Sequence, residues 1–239
     1  MKKHILFSVA ILAIGVFIAI CGHLDVRSSQ DPQHANGDRA ERSRSMRVRA
    51  MASDRDLVSI ASPSNLIRFN TLEQLVSGSI LIINGTVEKT TSVFSESEDF
   101  IFTDCRIAVT RVISGRFDGS ESITVRVPGG KIQLENGKTA ETRMPDFWRS
   151  PLAGKEYVFF LTKDEFGNFK IRGGPQGMFE IRDGVLTPQG FADDALAIAY
   201  KGRSFETISN EIASIVKSDV ALRTMFEKGG EICRSKAGS

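Results

Sequence analysis

Histidine occurs only at His4, His23 and His34 in this 239-residue chain. Beyond residue 34, chemistry must therefore run without imidazole. That excludes Ser-His-Asp and Cys-His activation of a nucleophile there, and the zinc sets built on histidine. Carboxylates, lysine and serine remain. Asp104 and Glu180 are the candidate acid–base pair of a carboxylate-dependent hydrolase, a role that needs environments splitting their pKa values. Ser214-Ile215-Val216-Lys217 has the Ser-x-x-Lys spacing of penicillin-recognising serine enzymes, but Ser214 falls inside an expected helix and no Ser-Asp-Asn or Lys-Thr-Gly accompanies it. Glu96, Glu98 and Asp99 offer oxygens at a spacing that fits no calcium loop, and read as a solvated hairpin tip. Gly137-Lys138-Thr139 ends like a phosphate loop, yet the leading glycine would fall at Ile132, and Pro145 follows where a helix should run. In Gly173-Gly174-Pro175-Gln176-Gly177 there is no lysine, and the alternating Met178-Phe179-Glu180-Ile181 predicts a strand where a phosphate cradle needs a helix N-terminus. No catalytic residue, metal ligand or cofactor is expected.

Binding chemistry has better candidates. Trp148 and Arg149 lie on a long loop and are of the residue types that dominate interface hot spots. With Gln176 of the glycine-proline turn they form the candidate partner-binding set. The other reading of Trp148 is a plug for one end of a barrel. Cysteine leaves two options for Cys105 and Cys233: one disulfide, or a free Cys105 packed as a small hydrophobe on the apolar face of a strand.

The elements that position these residues follow from periodicity. Asn70-Thr71-Leu72-Glu73 reads as a capping box with Asn70 as cap, opening a short helix that stops at Gly78. Ser79 to Val87 is a β-branched run, bulged at Gly85, and pairs as a hairpin with Phe100 to Ile113. Ile123 to Val127, Glu156 to Leu161, Phe169 to Arg172 and Met178 to Ile181 are further strands. Between Pro128-Gly129-Gly130 and Glu156 an irregular section is expected. Phe205, Ile208, Ile212 and Ile215 recur at helical spacing, with Ser204 as cap and Gly229-Gly230 as stop. Strands at this spacing with no helix between them predict a mainly β fold, an antiparallel OB-like barrel with a short helix before the first strand and a C-terminal helical segment packed on it.

The chain is 41% hydrophobic, enough for one substantial core. The expected organisation is a signal peptide or signal anchor over 1–21, a disordered Arg-rich tether over 22–56, the β-barrel over 57–191, C-terminal helices over 192–228 and a flexible tail over 229–239. Lys2, Lys3 and His4 before the apolar run Ile5 to Cys21 form the basic–apolar order of an export signal, long enough to be cleaved or retained as a membrane anchor. Ile20 stands where a lipid-attachment site at Cys21 wants a small residue. Beyond residue 56, 22 Lys and Arg face 23 Asp and Glu, so no field is expected that would attract nucleic acid.

The order Ile82-Ile83-Asn84-Gly85-Thr86-Val87, Phe102-Thr103, Val112-Ile113-Ser114-Gly115, Val127-Pro128-Gly129-Gly130, Pro145-Asp146-Phe147, Gly154-Lys155-Glu156-Tyr157-Val158-Phe159-Phe160-Leu161 and Gly174-Pro175-Gln176-Gly177-Met178-Phe179 resembles a group of uncharacterised bacterial exported proteins, over about residues 70 to 185. That group often carries lysine where this chain has Ser114. The strand-rich layout is also similar to the OB barrels of netrin-like modules, several of which bind or inhibit extracellular proteins. The resemblance implies an exported module and supplies no catalytic residue. The expectation is a secreted, periplasmic or envelope-tethered non-enzymatic binding module whose partner is a protein or small ligand of the envelope. The alternatives are the carboxylate hydrolase and a structural envelope protein.

Overall fold

A computed structural model describes residues 45–61, 67–118 and 121–219. The chain divides into two units, Met1–Ala40 and Glu41–Ser239; the first, with the expected export segment and most of the tether, lies outside the described residues. Among the described residues no helix is long and apolar enough to cross a membrane.

The second unit is mainly β. Its elements in chain order are α1 (Met46–Ala52), β1 (Leu57–Ile60), α2 (Leu72–Ser77), β2 (Leu81–Phe94), β3 (Ile101–Gly115), β4 (Ser122–Pro128), β5 (Gly130–Gln133) and β6 (Thr139–Arg143). Then come β7 (Glu156–Lys163), β8 (Phe169–Ile171), a 3₁₀ turn (Gly174–Gly177), β9 (Met178–Arg182), β10 (Val185–Pro188), α3 (Ala195–Tyr200) and α4, helical over 205–219. Seven strands form one sheet in the order β10-β9-β7-β2-β3-β4-β8, and β8 also pairs with β7, so β2, β3, β4, β8 and β7 close into a ring of five. A second sheet of three strands has the order β1-β6-β5, with β1 parallel to β6.

Strand β7 shows why the ring forms where it does. Successive strand side chains point to opposite faces, so a strand covered on both reads as an uninterrupted apolar run. Tyr157, Phe159 and Leu161 pack inside the ring with Leu81, Ile83, Cys105, Ile107 and Val125. Val158 and Phe160 point the other way, into a layer with Leu72 and Leu75 of α2, Leu196 and Tyr200 of α3, and Ile208 and Ile212 of α4. Each such buried side chain contributes about 1.5–3 kcal/mol relative to exposure. Tyr200 donates from its hydroxyl to Glu211 at 2.7 Å, tying α3 to α4, and its burial with that carboxylate raises the phenol pKa well above the ordinary value.

Several expectations need correction. The tether does not extend to residue 56: α1 is ordered, capped by Ser45, whose hydroxyl accepts from the Val48 amide at 3.2 Å. Met46 and Ala50, one helical turn apart, are wholly buried against Ile101, Leu134 and Ala140 in a small core of their own. One apolar pair in an arginine-rich stretch suffices when a neighbouring sheet supplies the rest. The cap of α2 is Thr71, one residue later than expected; its hydroxyl accepts from the Gln74 amide while the Gln74 side chain takes the Asn70 amide. The section after Pro128 is not wholly irregular, since it contains the β5–β6 hairpin. Helix α3, six residues long, falls in the stretch 192–228 where C-terminal helices are expected. The glycine-proline stretch is indeed a turn into a strand: Gly173 and Gly174 have φ of +68° and +58°, and a side chain at Gly177 would run into the Arg172 carbonyl.

Candidate binding cleft

The corner between the two sheets is made by Gly129 and Gly130. Gly129, at φ +89°, donates its amide to the Ile101 carbonyl at 3.0 Å and accepts from the Thr103 hydroxyl at 2.7 Å. A Cβ at Gly129 would sit 2.7 Å from Cγ of Met144, and one at Gly130 2.7 Å from the hydroxyls of Ser92 and Thr103. Glycine therefore lets the second sheet fold tightly over the end of β4. In that sheet Lys131 pairs with Glu141 across β5 and β6, and Arg143 forks onto Glu141 at 2.9 and 3.3 Å. The hydrogen bond to Glu141 raises the Arg143 pKa, keeping the guanidinium charged.

The loop that follows is pinned at several points. Trp148 donates its amide to the Pro145 carbonyl at 2.8 Å, closing a tight turn. Phe147 stacks on Phe191 with ring centres 4.7 Å apart, and Arg68 lies 4.2 Å over the same Phe191 ring. Leu152 donates its amide to the Tyr157 hydroxyl at 3.2 Å, and burial raises that phenol's pKa. Held this way, the half-buried Trp148 walls a cleft of about 300 Å³ together with Met144, Ser150, Gly129, Thr103 and the side of β6 that carries Glu141 and Arg143. Arg149 is exposed beside it.

On the neighbouring outer face of β3 and β4, Arg126 grips Asp104 through two bonds of 2.7 and 2.8 Å. That hydrogen bonding raises the Arg126 pKa. The Arg126 guanidinium also lies 5.6 Å from the centre of the Phe102 ring.

The expected residues are thus dispersed. Trp148 lines the cleft and the exposed Arg149 follows it in the chain without lining it, while Gln176 is 3% exposed and does not reach it. Its amide accepts from the Phe69 N–H at 2.9 Å and donates to the Phe69 carbonyl at 3.3 Å, so it is a clamp on the segment entering α2. Asp104 and Glu180 do not face each other. Asp104 lies outside the ring on β3, whereas Glu180, paired in register with Tyr157, shares that residue's face and is held by Arg182 at 2.9 Å and Lys155 at 3.5 Å. Strands β2 and β7 lie between their two strands. Cys105 is a free, fully buried thiol; burial, aided by the Asp104 charge, pushes its pKa up to about 12. Cys233 lies outside the described residues.

Glu98 at the β2–β3 tip is engaged by Arg47 at 3.0 Å and by Ser45. Ser214 lies exposed within α4. Lys138 and Thr139 bind the segment before β1, through the Asp54 carbonyl at 2.8 Å and the Asp56 carboxylate at 2.9 Å. Thr103, Lys131, Glu141 and Arg143 are cleft residues that sequence reasoning missed. For Lys131, Glu141 and Arg143 the signal was present in Asn136-Gly137, a hairpin turn pair flanked by alternating residues. Comparison of the chain with protein-family models and with curated proteins returns no match.

Proposed function

We propose that this chain is an exported, non-enzymatic binding module: an OB-like β-barrel that engages a protein partner through Trp148 and Arg149. The ring order β2-β3-β4-β8-β7, with its single parallel contact between β4 and β8, supports the barrel reading, because a five-stranded Greek-key barrel needs one such crossover. Export is supported by the basic–apolar–polar order of the first residues.

The observation that carries the binding reading is the half-buried tryptophan walling a cleft on a loop fixed from both sides. A preorganised aromatic anchor loses little entropy on association. A volume of about 300 Å³ is at the lower end of small-molecule sites, roughly 300–1,000 Å³, and suits one inserted side chain of a partner.

The test places a photo-crosslinking residue at Arg149, and in a control chain at the remote Glu165, in cells expressing the full chain. A discrete adduct from position 149, reduced at least about tenfold by Trp148→Ala with the melting temperature unchanged, supports the proposal. Adducts of equal yield from both positions, insensitive to Trp148→Ala, reject it.

A further inference from the structure

The ring is weakly closed at one seam. Strand β8 is three residues long and meets β4 through a single residue pair, Val125 with Phe169, whereas β3 and β4 share seven. Beside that seam lies a hollow of about 790 Å³, within the size range of small-molecule sites. Its floor is continuous with the ring interior: Ile123 belongs to the inner core, and Phe117 and Phe169 pack partly buried against it. Two cations stand on its rim. Arg116 and Lys163 are both exposed, and neither enters an ion pair among the described residues. The Lys163 ammonium lies 5.1 Å from the centre of the Phe169 ring, drawn over the opening. One carboxylate, Asp118, shares the rim, which leaves it a net positive charge.

We infer that this mouth binds a small amphipathic anion, its acidic head on Arg116 and Lys163 and its apolar chain between Phe117 and Phe169 against Ile123. Apolar walls beneath an unpaired cationic rim select both ends of such a molecule: the chain leaves water, and the head replaces solvent around two charges. A neutral chain gains only the first, and a cationic chain is repelled at the rim. The site is separate from the Trp148 cleft, so each stands or falls alone.

Calorimetric titration of the full chain with decanoate, decyl phosphate, decanol and decyltrimethylammonium, all below micellar concentrations, tests the inference. Expected are single-site binding of one or both anions, about tenfold weaker binding of decanol, and none of the cation. The relative affinity of carboxylate and phosphate identifies the preferred head. Arg116→Glu with Lys163→Glu should weaken the anion about tenfold. In the unaltered chain, amide shifts at Ile123 and Phe169 on adding decanoate give a readout that needs no variant. Equal affinity for decanoate and decanol, no binding by either anion, or shifts confined to residues away from the seam would overturn it.

Discussion

The five-stranded ring and the three-stranded sheet solve the same problem with different resources. Among the described residues, twelve buried side chains share the core inside the ring, Met178 of β9 among them, and a second layer covers its β2–β7–β9 side with three helices. Among the described residues the core beside the small sheet has five buried apolar side chains, two of them alanine: Met46 and Ala50 come from α1 and Ile101 from β3 of the ring. Its link to the ring is polar as well: the buried Thr142 hydroxyl accepts the Ile101 amide at 3.0 Å and donates to the Met46 sulfur at 3.8 Å. Stability is therefore concentrated in the ring, and the small sheet with the cleft it walls is the part that opens at lower cost.

The strongest way to break this contrast is to hollow the ring. Phe159 is fully buried, with Tyr157 at 5.3 Å between ring centres. Phe159→Ala should cost about 3–5 kcal/mol and lower every probe of chemical denaturation together. Met46→Ala, in the small core, should cost about 2 kcal/mol, and its loss of hydrogen-exchange protection should be confined to α1, β1 and β6. A global loss of protection would erase the distinction between the two regions.

Cys105 sharpens the contrast at smaller magnitude. Because its folded pKa of about 12 lies above the ordinary value of 9.0, the unfolded chain releases the thiol proton first as pH rises. The native state then binds more protons than the unfolded state, so stability is lost with rising pH between those two values, at up to about 1.4 kcal/mol per pH unit. Comparing Cys105→Ala with the parent at pH 7 and 10.5 should show the parent losing more. At neutral pH the thiol should resist alkylation in the parent and equally in Met46→Ala, since opening the small sheet does not expose the ring interior.

What could be read in the chain follows the same division. Glu156 to Lys163 announces itself because both faces are covered, and Ile208 and Ile212 announce α4 because one face is. Strand β6 alternates Ala140 and Thr142 with Thr139, Glu141 and Arg143, so its inward side lacks the large apolar side chains that reveal a strand. Helix α1 is harder still, an arginine-rich segment whose Met46 and Ala50 matter only once Ile101 and Leu134 are beside them. Thr71 and Asn70 are both competent caps, and the choice between them fell to Gln74, which reaches back over the first turn.

Residue types and their spacing were sufficient for the long strands, the C-terminal helical stripe, the turn at Gly173–Gly177 and the lack of imidazole chemistry beyond residue 34. These depend on local steric preference and on burial repeated along one segment. The one-pair closure of β8 on β4, the packing of Met144 over Gly129 beside Trp148, and the parting of Asp104 from Glu180 emerged only on folding. Each is decided by strand register between segments far apart in the chain, where a shift of one residue exchanges the faces of a sheet.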